Sequence, residues 1–340
     1  MNIAIINYTI NTINLEIKKF STKISRGDNK NLLYTFPYTT LINNGWIVIP
    51  YEELKNINTV SIIDKIKTYL KVDTDIKKIL FFRANTFITT HWEEIKSLQI
   101  YKIIYIDDLH DSKEIKELRV LDKKFFDYFN LIMSTYAYCF NKFFSYVKKE
   151  KIYWFPHSFN ELFKIEFNSN PINKIFLSGC ICDAYPMRQK VFGLKEKYPI
   201  EVLEHPQYCK NKLHNIIGKK FIEQINKYRY AFTCCLNTNI PYMVQKFFEI
   251  PGSGALLIGF DYHIKKQMEE LGFIDMENYI SVGEDNLEEK ISWILDPNNL
   301  ETIEKIRLNG YNFINSSQTH EIRTKKFLEY LSSLEYKNNM

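Results

Sequence analysis

The chain has 340 residues, 45% hydrophobic and 25% charged, with a formal net charge of +5. This is an ordinary composition for a soluble globular protein, and the length calls for two domains rather than one core. The charge excess is small and dispersed; it suits an anionic small ligand or surface and does not by itself argue for nucleic acid.

The first residues, "MNIAIINYTINTINLEIKK", lack a basic n-region, a continuous apolar stretch and a small-residue cleavage site, so no signal peptide is expected. No apolar run reaches membrane-spanning length. The six cysteines, Cys139, Cys180, Cys182, Cys209, Cys234 and Cys235, sit mostly in apolar contexts. Without an export signal they read as reduced thiols in a cytoplasmic protein.

In chain order, the first half offers strands in "NIAIINY", "GWIVIP", "KKILFFRAN", "YKIIYIDDLH", "LIMSTY" and "KIYWFPHS". The second half offers "KIFLSG", "IEVLEH", "YAFTCCL", "ALLIGF" and "YISVG". Most are continuous apolar runs, as expected of parallel strands buried on both faces. Helices fit between them. Met187, Val191, Leu194 and Tyr198 recur at helical spacing behind Pro186. Leu213, Ile216, Ile217, Phe221, Ile225 and Tyr228 form a second stripe, and Asn286 with Glu289 reads as a capping box. Strands alternating with helices predict two Rossmann-like α/β domains with parallel sheets. The expected division is 1–160 and 161–319, with a C-terminal helix from about 320 returning to the first domain. The polar "NSNP" stretch is the best linker candidate.

In such sheets ligands collect at the carboxyl ends of strands. After "KIFL" comes "SGCICDAYPMR", where Gly179 allows a tight turn and Pro186 starts a helix. Arg188 lies in the first turn of that helix and brings a guanidinium suited to phosphate oxygens. It is equally read as an ordinary strand–helix turn with a solvated Arg. In "KFFEIPGSGALLI", Glu249 stands among Phe247, Phe248 and Ile250 just before a Pro-Gly-Ser-Gly break. A carboxylate accepts hydrogen bonds only, and its two oxygens match the vicinal hydroxyls of a ribose. Pro251 stops or kinks the helix, and Gly254 permits a left-handed turn into the next strand. The plain alternative is a helix C-cap carrying a surface Glu.

"KIIYIDDLH" places Asp107, Asp108 and His110 at a strand end. Asp108 or His110 is a candidate general base, or else a helix cap and a polar loop residue. His157 in "WFPHS" is a further candidate, or a satisfied core histidine. Cys180, Cys182, His205 and Cys209 have no standard zinc spacing, and no metal is expected.

"KFFEIPGSGALLI" resembles the signature of GT-B glycosyltransferases of the "glycosyl transferases group 1" type. There a basic residue, a hydrophobic residue, Phe-Glu and a small-residue turn ending in Gly precede a buried strand. "SGCICDAYPMR" is similar to the opening of that family's donor domain, and "YIDDLH", "YWFPHSFN", "DPNNLETIEKIRLNGYNFI" and "SQTHEIRTKKFLEYL" look like further family segments. The resemblance covers about the last two thirds of the chain. It implies a GT-B fold, with two Rossmann-like domains facing across a cleft and a C-terminal helix crossing back. The implied donor site holds the ribose with Glu249 and the diphosphate with Lys246 and Arg188. Gly179, Tyr185, His157, Gly252, Ser253 and Gly254 are further candidates for it, and Thr238 and Asn239 are candidates to meet the sugar hydroxyls. Pro241 stands where many retaining members carry a second Glu, which leaves retention or inversion open.

The expected activity is transfer of a sugar from a UDP- or GDP-linked donor to a hydroxyl of a glycan, glycoprotein or glycolipid, with no cofactor or metal. The N-terminal half would present the acceptor, with His110 or Asp108 as base. The alternatives are a GT-B nucleotide-sugar epimerase and a non-catalytic sugar- or nucleic-acid-binding protein on the same scaffold.

Overall fold

The computed structural model describes residues 1–6, 37–55, 57–59, 61–110, 113–203, 216, 218–236 and 240–338. The chain divides into two compact units, the first comprising Met1–Pro156 and Thr324–Met340, the second His157–Arg323.

The first unit is built on β1 (Asn2–Ile6), β2 (Trp46–Pro50), β3 (Lys78–Phe82), β4 (Tyr101–Ile106), β5 (Leu131–Ser134) and β6 (Ile152–Trp154). They form one sheet in the order β2-β1-β3-β4-β5-β6, and every pairing is parallel. Its helices are α1 (Pro37–Asn43), α2 (Tyr51–Lys55), α3 (Ile62–Leu70), α4 (Asn85–Thr90), α5 (Trp92–Ser97), α6 (Lys113–Leu121) and α7 (Ala137–Phe143). The strand period of two sorts the side chains. Ala4, Ile6, Leu80, Phe82, Ile103, Tyr105, Leu131 and Met133 share one buried cluster with Tyr38 and Leu41 of α1. Phe82 stacks on Tyr105 with ring centroids 4.3 Å apart. The buried ammonium of Lys102 donates to the carbonyls of Ile95, Lys96 and Leu98. It thereby satisfies carbonyls that α5 leaves without helical partners.

The second unit carries β7 (Ile172–Ser178), β8 (Ile200–Leu203), β9 (Tyr228–Cys234), β10 (Leu256–Phe260) and β11 (Ile280–Val282), in the parallel order β11-β10-β9-β7-β8. The helices are α8 (Pro186–Gly193), α9 (Lys219–Asn226), α10 (Lys246–Gly252), α11 (Lys265–Leu271), α12 (Leu287–Leu295) and α13 (Leu300–Ser317). A last helix, α14 (His320–Asn338), starts in this unit and from Thr324 belongs to the first. There its Phe327 and Leu331 enter the sheet cluster. Among the described residues no helix is long and apolar enough to cross a membrane.

All eleven apolar runs read from the sequence are strands. The helices needed correction. α8 stops at Gly193, so Leu194 caps it and Tyr198 lies beyond. α9 begins after Gly218, and Tyr228 opens β9 rather than closing the helix. Asn286 makes no side-chain cap to α12; its Oδ1 instead accepts from the Gly283 N–H at 2.7 Å. The "NSNP" stretch is tied down inside the second unit. Asn168 donates to the Asn226 carbonyl at 3.0 Å, and its own carbonyl accepts from Arg307. The change of unit therefore comes earlier, at Pro156–His157.

Both sheets have a switch point. In the second unit the chain leaves β7 for β8 on one side and returns to β9 on the other. The carboxyl ends of β7 and β9 flank that point, where open α/β sheets form a crevice.

Candidate functional site

Gly179 follows β7 directly, with φ of +99°. That conformation suits glycine, and the space around it requires one. A Cβ here would meet the Arg188 Nη1 at 2.8 Å and the Lys246 Cε at 3.4 Å. Two cationic side chains, one from α8 and one from α10, thus converge on the same backbone point.

Arg188 is the third residue of α8, which opens with Pro186 at a position where its missing N–H costs nothing. The side chain is buried. Its Nη1 donates to the Cys180 carbonyl at 3.2 Å, and the guanidinium lies 3.8 Å from the centroid of the Tyr185 ring. The Nε is buried and has no acceptor among the described residues. A guanidinium held on one edge and stacked on a ring keeps its fork pre-oriented for an anion.

Lys246 begins α10 and is half-buried, with Nζ 5.4 Å from the centroid of Phe221. Burial pushes its ammonium below the usual lysine range, and the Arg188 charge adds to this. Glu249 partly opposes both. Glu249 lies one helical turn on, on the same face, and is only 8% exposed. Burial raises its carboxyl above the usual range, and the Lys246 charge offsets this in part. Its flanking residues Phe247, Phe248 and Ile250 are buried, so the lone carboxylate is no surface residue. The Cys234 thiol at the end of β9 is pushed up to about 11 by burial, with Arg188 and Lys246 pulling the other way.

Two cations and one carboxylate therefore occupy a low-dielectric corner with their charges incompletely neutralised. Isolated charges in such places cost several kcal/mol. A ligand that brings anionic oxygens to Arg188 and Lys246, and hydroxyl donors to Glu249, relieves that cost.

The other sequence-nominated residues divide. Tyr185 joins the cluster as the platform under Arg188. Gly252, Ser253 and Gly254 have packing roles. A Cβ on Gly252 would fall 2.6 Å from the Phe159 ring. Ser253 is fully buried and donates from Oγ to the Ile250 carbonyl at 2.7 Å. Gly254, at φ of +91°, presents its carbonyl to the Nε of the buried Arg307 at 2.6 Å. These residues shape the turn that holds α10. His157 has the buried His320 as an electrostatic neighbour. Thr238 and Asn239 lie outside the described residues, as do His205 and Cys209.

In the first unit, Asp108 is exposed and His110 half-buried. Their neighbour Asp107 is the structured carboxylate: it pairs with Arg83, which follows β3. Arg83 has a φ of +51°, an uncommon conformation for a side chain of this size. The sequence signal for this pair was an arginine one residue past the apolar run "KILFF", level with the acidic end of the next strand. The described cysteines form no disulfide with one another. Among the described residues, no group of three His, Cys, Asp or Glu is placed to hold a metal.

Solved structures share this fold. Sucrose-phosphate synthase from Thermosynechococcus elongatus aligns over 99% of this chain and 100% of its own, with TM-score 0.57 and 11% identity. The Anabaena protein HepE, solved in complex with UDP-glucose, aligns over 98% and 100%, with TM-score 0.56 and 9% identity. A DNA-modifying β-glucosyltransferase, solved with and without uridine diphosphoglucose, aligns over 97% and 99%, with TM-score 0.54 and 14% identity. The fold is GT-B. No protein-family model and no curated protein matches the sequence. Within the GT-B frame the second unit is the one whose switch point gathers Gly179, Arg188, Lys246 and Glu249.

Proposed function

We propose that the protein is a glycosyltransferase that takes a sugar from a nucleotide-sugar donor and passes it to a hydroxyl of a glycan, glycoprotein or glycolipid. One observation carries the reading: the convergence of Arg188 and Lys246 on Gly179, with Glu249 one turn away, at the β7/β9 switch point. In this reading Arg188 and Lys246 hold the donor diphosphate and stabilise it as it departs. Glu249 accepts hydrogen bonds from the ribose hydroxyls. Charges fixed before reaction need no reorganisation during it, which is the main source of rate in such sites. Two side-chain cations also supply the charge that a divalent ion would otherwise bring, so the transfer is proposed to be metal-independent. HepE and the β-glucosyltransferase were solved with UDP-glucose, which makes a uridine nucleotide the first donor to test. A base on the acceptor hydroxyl is assigned to the end of β4, where Asp108 and His110 lie.

The test is a thermal-shift panel of UDP, GDP, TDP, ADP and CMP, with and without Mg²⁺, on wild type and Glu249→Ala. Ligand at about a hundred times its Kd stabilises by roughly 2.7 kcal/mol, a shift of several degrees. One nucleotide should shift the wild type without Mg²⁺, and Glu249→Ala should abolish that shift while still melting cooperatively. If no nucleotide shifts the wild type at millimolar concentration, the reading fails.

A further inference from the structure

Cys180 and Cys182 follow Gly179 and lie beside the anion corner. Unlike Cys139, Cys234 and Cys235, which are buried, both are partly exposed. They stand one residue apart on either side of Ile181, each an electrostatic neighbour of the other. Their backbones hold the arginine. The Cys180 carbonyl accepts from Arg188 Nη1 at 3.2 Å, and the Cys182 carbonyl accepts from the Tyr185 N–H at 2.8 Å. The Tyr185 ring in turn carries the guanidinium at 3.8 Å. Any change in the Cys180–Cys182 turn therefore reaches Arg188 by two routes.

We infer that Cys180 and Cys182 are a redox modification site, a dithiol that a low-molecular-weight disulfide oxidises to an intramolecular disulfide, displacing Arg188 and weakening anion binding. The second half rests on the donor-site reading above. The chemistry balances with glutathione disulfide as oxidant. One cysteine thiolate attacks a glutathione sulfur, giving a mixed disulfide and one glutathione thiolate. The second cysteine thiolate then attacks the protein-side sulfur and releases the second glutathione. One S–S bond breaks and one forms. Two electrons pass from the protein thiols to glutathione, and the two thiol protons end on the two glutathione molecules.

A disulfide brings its Cβ atoms to about 3.5–4.5 Å and fixes the torsion between them. Closing it across a single intervening residue, Ile181, forces the turn to adapt, and the carbonyl of Cys180 moves with it. Strained, exposed disulfides are also the readily reduced ones, so the modification is reversible. Burial and the neighbouring thiol raise the Cys180 thiol above its ordinary range, so oxidation runs faster at mildly alkaline pH.

The experiment incubates the full chain with glutathione disulfide, then with dithiothreitol, reading intact mass, peptide map and UDP affinity at each stage. The expected result is loss of two hydrogens, mapped to a Cys180–Cys182 linkage. UDP affinity should fall about tenfold, the loss of one charge-assisted hydrogen bond, and recover on reduction. Cys182→Ser should instead retain a glutathione adduct on Cys180 and form no internal linkage. Absence of the mapped linkage overturns the inference. A linkage that leaves UDP affinity unchanged overturns the gating half. If reduced protein binds no UDP, the donor-site reading fails and the gating half falls with it, while the peptide map still decides the dithiol.

Discussion

At the end of β4 in the first unit, a carboxylate and a guanidinium neutralise each other: Asp107 pairs with Arg83. At the end of β7 in the second unit, Arg188 and Lys246 lie side by side at Gly179, and the carboxylate of Glu249 only partly offsets them. The two sheets share their parallel topology, yet one strand end closes its electrostatics internally and the other sets two cations against one carboxylate. An internally paired charge is a structural element. In the proposed donor site, a like-charge pair held in place by packing becomes a binding element, because an arriving anion relieves its cost.

The sharpest way to break this contrast is to remove one cation from each end. Arg188→Ala should lower UDP affinity by about 2–3 kcal/mol, the worth of hydrogen bonds to a charged group, or roughly 30- to 150-fold by calorimetry. Arg83→Ala should leave UDP affinity within about twofold of wild type, because that guanidinium is already paired with Asp107. Equal effects from the two variants would dissolve the distinction.

A second comparison separates the proposed binding residues of "KFFEIPGSG" from the packing ones. Gly252→Ala should destabilise the protein by about 1–3 kcal/mol in urea unfolding, because its Cβ would press into the Phe159 ring. Glu249→Gln should leave stability within about 1 kcal/mol and remove most UDP affinity. Two variants three residues apart would then fail for opposite reasons.

The smaller effects follow pH. The Lys246 ammonium titrates below the ordinary lysine value of 10.5 in the free protein, and deprotonation removes the charge that binds the anion. UDP affinity should therefore fall with rising pH, before an unperturbed lysine would titrate. Glu249 titrates above 4.5, and its protonated form loses an acceptor, so affinity should also fall on the acid side. Isothermal titrations across pH should show a bell. Lys246→Arg, which stays charged, should flatten its alkaline limb.

The smallest expected effect concerns stability. Buried His320 hydrogen-bonds Ser158 at 2.6 Å, and burial, His157 and Arg323 hold its imidazole well below 6.5. The unfolded chain takes up a proton that the folded one refuses. Stability is therefore complete above about pH 6.5 and declines as pH falls below it, by up to about 1.4 kcal/mol per unit. Denaturant midpoints at pH 7.5 and 5.5 should differ more for wild type than for His320→Gln.

Much of the architecture was legible because it is local. A continuous apolar run such as "KILFF" can satisfy its backbone as a parallel strand buried on both faces, and β3 is buried along its whole length. Pro186 at the start of a helix and Gly254 in a left-handed turn are backbone constraints written in single residues. Helix ends were less legible. Tyr228 fits a helical stripe by spacing, but its backbone belongs to β9, where pairing with β7 overrides the local period.

In the site, the sequence by itself determined which residues stand near strand ends: Gly179, Arg188, Lys246 and Glu249 on one side, Asp107, Asp108 and His110 on the other. Chain position sufficed, because parallel strands deliver their next residues to one edge of the sheet. Only the tertiary structure decided which of these face one another. The meeting of Arg188 with Lys246, the pairing of Arg83 with Asp107, and the filling of the space at Gly252 by Phe159 all join residues far apart in the chain. No local spacing encodes such contacts. They arise when the packing of whole elements brings one side chain into the space beside another, and that packing gives "FEIPGSG" a buried carboxylate, the one proposed to meet a ribose, and a turn that serves the core.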